Sequence, residues 1–261
     1  MPQVQPEIPL FKIIGVPVHV LSIADTLKWM FLRIESSKLG GTICFTNAYS
    51  VVLSQKDPVL RKALRHASLS VPDGMPLAWL GRLRKFPLKR RVYGPELFLE
   101  FCQQSQRNGY RHFFYGGHPG IPEKMVQVLK SSFPGIQIAG TLSPPFRALT
   151  LDEDEEIVKM INLAGPDVCW VGLGAPKQEI WMMQHRDRLR VPVLAGVGAA
   201  FDFVAGRVKQ APFWMREHGM EWLYRFFQEP RRLWRRYLIC NLLFLYYVFL
   251  EQTGLKEFDD A

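Results

Sequence analysis

The sequence predicts an α/β fold, a mostly parallel sheet with helices on both faces, followed by a helical C-terminal appendage. Three observations carry this: short apolar runs alternate with helix-spaced segments, most runs end in Gly, Pro or Asn, and no strand-like run follows Ala211. The runs cover 43–45, 69–71, 112–115, 136–138, 168–171 and 193–197; the helical spacings cover 48–66, 95–108, 122–132, 153–164 and 178–188. Such alternation favours parallel strands joined by crossover helices, and sheets of that kind bind ligands beyond the carboxyl ends of their strands. The boundary is placed so that 1–211 form the catalytic-type α/β domain and 212–261 the appendage.

Taken in chain order, each strand end offers polar or glycine residues. Thr46 and Asn47 close the first run, where they orient a sugar or cap the following helix. VPDGMP puts Asp73 at the end of the second, as an Asp-Gly turn or as a general base for a substrate hydroxyl. In FFYGGHPGIP, Gly116 and Gly117 let backbone N–H groups approach a phosphate, or form an ordinary strand-to-helix turn. VGLGAPKQEIW repeats the pattern with Gly172 and Gly174 and adds Lys177, Gln178 and Glu179 at a helix start, where Lys177 suits phosphate and Gln178 a sugar or base. The third glycine of a dinucleotide fingerprint is missing, so the reading is Rossmann-like without a nicotinamide site. Asp202, set between Phe201 and Phe203, is a helix cap or a ligand for hydroxyls.

The acidic run 152–156 contains a D-x-D but precedes an apolar helical pattern, so it reads as a helix N-terminus. No obligatory metal and no cofactor is expected, since the histidines show no ligand spacing either. Cys44, Cys102, Cys169 and Cys240 stand far apart, which suits reduced, mostly buried thiols.

The tail differs in kind. Residues 222–237 carry Arg225, Arg231, Arg232, Arg235 and Arg236 among six aromatic residues, and the apolar run 238–250 follows directly. Thirteen residues are too few to span a hydrocarbon core that needs about twenty, so the run lies on a membrane surface or packs in an interface, a second copy of the chain being one such partner. The net charge of +9 concentrates in 82–91 and in the tail, pointing to two anionic contacts. Nucleic acid is not favoured, because zinc spacing, an RNP-like strand and a helix-turn-helix are all missing. The N-terminus lacks a basic and an apolar region of the export type, so a cytoplasmic location is expected.

The ordered blocks TNAYSVVLSQKDPVLRKAL, PDGMPL, FFYGG, SPPFR, VGLGAPKQEIWM, GVGAAFDFVAGRVKQAP and MEWLYRFFQEPRRLWRRYL together resemble the WecG/TagA/CpsF glycosyltransferases of bacterial cell-surface polysaccharides. The resemblance implies a metal-independent, inverting enzyme, peripheral on the inner membrane face. Its implied substrates are a UDP-sugar donor and a polyprenyl-diphosphate-linked sugar acceptor. By that resemblance Asp73 falls on the proposed general base, Asn47 and Gln178 on motif positions, and Arg225, Arg232 and Arg235 on the arginines of the appendage. Phe45 stands where the family has a threonine two places before Asn47. The rival class is a non-catalytic membrane-surface scaffold that keeps a nucleotide-sugar fold.

Overall fold

A computed structural model of the chain describes residues 8–258, with the side chains of Arg232, Arg235 and Arg236 outside the description. A two-stranded hairpin comes first, β1 (Leu10–Ile13) and β2 (Val16–His19), turned at Ile14 and Gly15, both with positive φ. Helix α1 (Ile23–Glu35) follows, closed by a capping box in which Ser22 accepts from Asp25 N–H. Then come β3 (Gly41–Thr46), α2 (Ala48–Ser54), α3 (Pro58–Arg65), β4 (Leu69–Pro72), α4 (Met75–Leu83), α5 (Gly94–Ser105), β5 (Arg111–Gly116), α6 (Ile121–Ser132) and β6 (Gln137–Leu142). The sheet is completed by α7 (Leu151–Ala164), β7 (Val168–Gly172), α8 (Lys177–His185), β8 (Val193–Gly196) and α9 (Ala200–Val204).

The sheet has six strands in the order β4-β3-β8-β7-β5-β6, parallel at each pairing. Strand residues alternate between two cores. Cys44, Phe113, Tyr115, Cys169, Val171 and Leu194 face one, with Val51 of α2, Leu60 of α3, Ile157 of α7 and Met182 of α8. Ile43, Phe45, Phe114, Trp170, Val193 and Ala195 face the other, with Met30 of α1, Phe98 of α5, Met125 of α6 and Phe201 of α9. Helices therefore cover both faces, as the alternation predicts. The expected helix 48–66 is two helices: Asp57 accepts from the N–H groups of Val59 and Leu60, both at 3.0 Å, and Pro58 opens the second helix.

Beyond α9 the chain is helical: α10 (Phe213–Glu217), α11 (Glu221–Gln228), α12 (Pro230–Trp234), a π-helical turn (Arg235–Ile239) and α13 (Cys240–Gln252). The two faces of α13 have different environments. Phe244 and Val248 enter the core against α2, and Glu251 accepts from Ile14 N–H and from Arg84 Nη2, each at 2.6 Å. The opposite face leaves Leu242, Leu245, Tyr246 and Phe249 exposed. The apolar run thus docks on its own body along one side and stays bare along the other. Among the described residues no helix is long and apolar enough to cross a membrane.

Candidate active site

Because the strands are parallel, their carboxyl ends share one edge, and a cleft of about 790 Å³ opens there. Asn47 after β3, Gly117 and His118 after β5, Gly172 and Gly174 at the end of β7, and Gly196 and Gly198 at the end of β8 line it. The loop 144–151 forms one wall, α8 and α9 supply Lys177, Gln178, Glu179 and Asp202, and α11 reaches in with Arg225. Twelve of the fourteen expected site residues lie at this edge or beside it; the other two, Arg232 and Arg235, form part of the appendage, and their side chains lie outside the description.

Asp73 follows β4 at the same strand-end edge, outside the residues that line the cleft but near Asn47 and Arg225, which do line it. Its N–H donates to Thr46 O at 2.8 Å, which ties the turn to β3, and its Oδ1 accepts from Gly94 N–H at 3.1 Å, at the start of α5. Burial pushes its carboxyl up to about 7, with Glu221 adding to the rise while Arg91, the Gly94 N–H and Arg225 oppose it. A carboxylic acid that ionises near neutrality is suited to general-base work.

Asn47 caps α2, its Oδ1 accepting from Ser50 N–H at 3.2 Å, and it lines the cleft. The Thr46 hydroxyl is fully buried on Ser70 Oγ at 2.6 Å, while Phe45 forms part of the cleft wall. Gly116 and Gly172 are adjacent across β5 and β7: a Cβ on Gly116 would lie 2.6 Å from the Gly172 carbonyl carbon, and one on Gly172 would lie 2.7 Å from the Phe201 ring. Close strand and helix packing accounts for both glycines. Gln178 is buried and fully engaged: its Oε1 accepts from Gly174 N–H at 3.1 Å, and its Nε2 donates to Gly196 O at 2.7 Å and Glu179 Oε1 at 2.9 Å. It therefore joins the ends of β7 and β8. Lys177 is exposed at the mouth, and Asp202 lies within α9, paired with Arg207 at 3.0 Å.

The appendage meets the body through ion pairs that the sequence reading does not identify. Arg91 Nη1 donates to Asp73 O at 3.1 Å and its Nη2 to Glu221 Oε2 at 2.5 Å, while Tyr93 OH donates to Glu221 Oε1 at 3.0 Å. Arg90 grips Glu96 on α5 and Glu217 on α10 with two bonds each. Arg225 lies over the Phe203 ring, and its buried Nε has no hydrogen-bond partner among the described residues. A carboxyl near neutrality thus stands beside the cleft, and the cleft wall holds an arginine whose Nε has no hydrogen-bond partner among the described residues.

Among the described residues no cluster of three or more His, Cys, Asp or Glu could hold a metal ion. The acidic run begins α7, where Thr150 and Glu153 form a capping box and Asp154 pairs with His185 and Arg188. Cys44, Cys102 and Cys169 are buried free thiols, Cys240 a partly buried one.

The family model for the WecG/TagA/CpsF glycosyl transferases matches residues 11–257, from β1 through α13. The chain belongs to this glycosyltransferase family. The match takes in both the sheet and the appendage, so the family pattern includes the segment that carries Glu221 and Arg225. The N-acetylglucosaminyldiphosphoundecaprenol N-acetyl-beta-D-mannosaminyltransferase of Bacillus spizizenii is 30% identical over 85% of this chain and 86% of its own length. The protein of the same name from Bacillus subtilis is 31% identical over 77% of this chain and 76% of its own. That from Staphylococcus aureus is 28% identical over 91% and 90%.

Proposed function

We propose that this glycosyltransferase moves a sugar, N-acetylmannosamine or a close hexose relative, from a UDP-sugar to a polyprenyl-diphosphate-linked saccharide during synthesis of a bacterial surface polymer. In this reading Asp73 takes the proton of the acceptor hydroxyl as that oxygen attacks the anomeric carbon. The bond from that carbon to the diphosphate oxygen breaks, and the electron pair leaves with UDP. The configuration inverts, since a single displacement needs one base and no carboxylate nucleophile. Arginine guanidinium groups neutralise the departing diphosphate without a metal, Arg225 first among them, with Arg232 and Arg235 as further candidates.

The observation that carries this reading is the pairing, at one strand edge, of the Asp73 carboxyl held near 7 with the unpartnered Nε of Arg225. The names of the relatives supply the sugar and the acceptor class. The bare face of α13 and the exposed Trp214 and Phe227 fit an enzyme peripheral on the inner face of the membrane. In that arrangement 1–211 hold the donor and 212–261 bring the lipid-linked acceptor and complete the site.

Transfer of radiolabelled sugar from UDP-N-acetylmannosamine to a lipid-diphosphate-linked N-acetylglucosamine tests the proposal. Asp73→Asn is expected to lower kcat by about 10²–10⁴-fold, the usual worth of a general base. Wild-type turnover in that variant would remove Asp73 from the chemistry. Binding to anionic vesicles without turnover of any UDP-sugar would make the chain a scaffold instead.

A further inference from the structure

We propose that Glu221 is a positioning residue: by holding Arg91 it keeps that guanidinium off the Asp73 carboxylate, so that docking of the appendage sets the strength of the base. The inference rests on the base role proposed for Asp73. Its geometry is independent of that role.

Arg91 is 8% exposed and bonded on two sides. One nitrogen reaches the backbone carbonyl of Asp73 at 3.1 Å, and the other reaches Glu221 at 2.5 Å. Its guanidinium also stacks over the Tyr93 ring, 4.3 Å from the centroid, and Tyr93 OH holds the second oxygen of Glu221 at 3.0 Å. Both oxygens of Glu221 are thus engaged by body residues. The Asp73 side chain, by contrast, accepts from the Gly94 N–H. Arg91 already touches the carbonyl of the residue whose carboxylate it would neutralise.

The groups facing Asp73 come from three sides. The 91–93 segment brings Arg91 and Tyr93, the start of α5 brings the Gly94 N–H, and α11 brings Glu221 and Arg225 with opposite signs. Neutral Asn47 stands at the β3 end, its Cβ close to Gly74. When α11 leaves, its two charges leave together and Asp73 faces Arg91 alone. A buried cation without its counter-ion recruits the nearest carboxylate, and a carboxylate in such a pair is both a weaker base and less accessible. Glu217, at the end of α10, also ties the appendage to the body, but its hydrogen bonds go to Arg90 and Arg91 acts on it only as a neighbouring charge. It is the natural control for docking alone.

The test is a carbon-13 titration of aspartate carboxyl groups in the full chain, with Asp73→Asn identifying the resonance, beside pH profiles of kcat/KM. The wild-type midpoint is expected near 7. Glu221→Gln should lower it by about one pH unit or more, move the acidic limb of kcat/KM the same way and reduce the plateau about tenfold. Glu221→Asp should restore the midpoint in part, and Glu217→Gln should leave it in place. In an Arg91→Gln background, Glu221→Gln should lower the midpoint only by the loss of its own charge, clearly less than in the wild-type background, and an equal shift in both backgrounds would overturn the proposal. An unmoved Asp73 midpoint in a folded Glu221→Gln chain, or an equal shift in Glu217→Gln, would overturn the proposal. Full activity of Asp73→Asn would instead remove the base role while the titration still reports on the Glu221–Arg91–Asp73 coupling.

Discussion

The strand-end edge and the appendage bound the same cleft but are built in opposite ways. At the edge the polar atoms of Gln178 are engaged by Gly174, Glu179 and Gly196, and Gly116, Gly172 and Phe201 meet at contact distances that admit no further carbon. In the appendage, Arg216 and Arg225 keep buried Nε groups without hydrogen-bond partners among the described residues, and Trp214, Phe227, Leu242 and Phe249 are more than half exposed. Buried donors and large apolar surfaces without partners are costly unless something else meets them. The edge is therefore closed by its own contacts, whereas the appendage leaves buried donors and apolar surface unmet among the described residues, as the proposed substrate and membrane contacts require.

The sharpest way to break this comparison is Arg225→Gln. If the guanidinium meets a diphosphate in the reaction, turnover should fall on the order of 10²-fold, comparable to the loss of one transition-state donor, with the melting temperature nearly unchanged. A large loss of stability with normal turnover would make Arg225 part of the scaffold. The edge should respond in the reverse sense. Gly172→Ala places a methyl group 2.7 Å from the Phe201 ring, so it should destabilise the fold by about 1–3 kcal/mol, read by urea denaturation. An unchanged midpoint would show that the edge has more slack than its contacts suggest.

Much of the sheet is legible in the sequence because the physics that makes it is local. Buried runs such as 112–115 and 168–171 stop at Gly116 and Gly172, and helical spacing resumes beyond them. The break between α2 and α3 is equally local, since Asp57-Pro58 is a helix start inside a longer apolar pattern. The hairpin is harder to read, as its strands have four residues each. Arg91 is hardest of all. In sequence it is one member of a basic run, and its partner Glu221 lies 130 residues away, so no spacing announces the pair. Gln178 shows the converse limit: its place at a helix start is evident, but its engagement by two strand ends depends on the fold.

The smallest effect separates the two regions at a single residue. Asp73 belongs to the edge by its backbone, through Thr46, and to the appendage by its charge environment, through Glu221 and Arg225. Its carboxyl ionises near 7 in the folded chain and near 4 in the unfolded one, so between those values the folded state holds the proton more tightly. Stability contributed by this group is present below about pH 4 and is lost as pH rises through about 7. Asp73→Asn carries no charge to bury and can still accept from Gly94 N–H. The variant should therefore be more stable than the wild type at pH 8, by on the order of 1–2 kcal/mol once solvent access to the carboxyl is allowed for, or about 2–8 °C in melting temperature. The gap should close on acidification to pH 4. Equal melting temperatures at pH 8 would mean that the folded site does not strain the carboxylate, and that the appendage already compensates the charge it is proposed to leave available for catalysis.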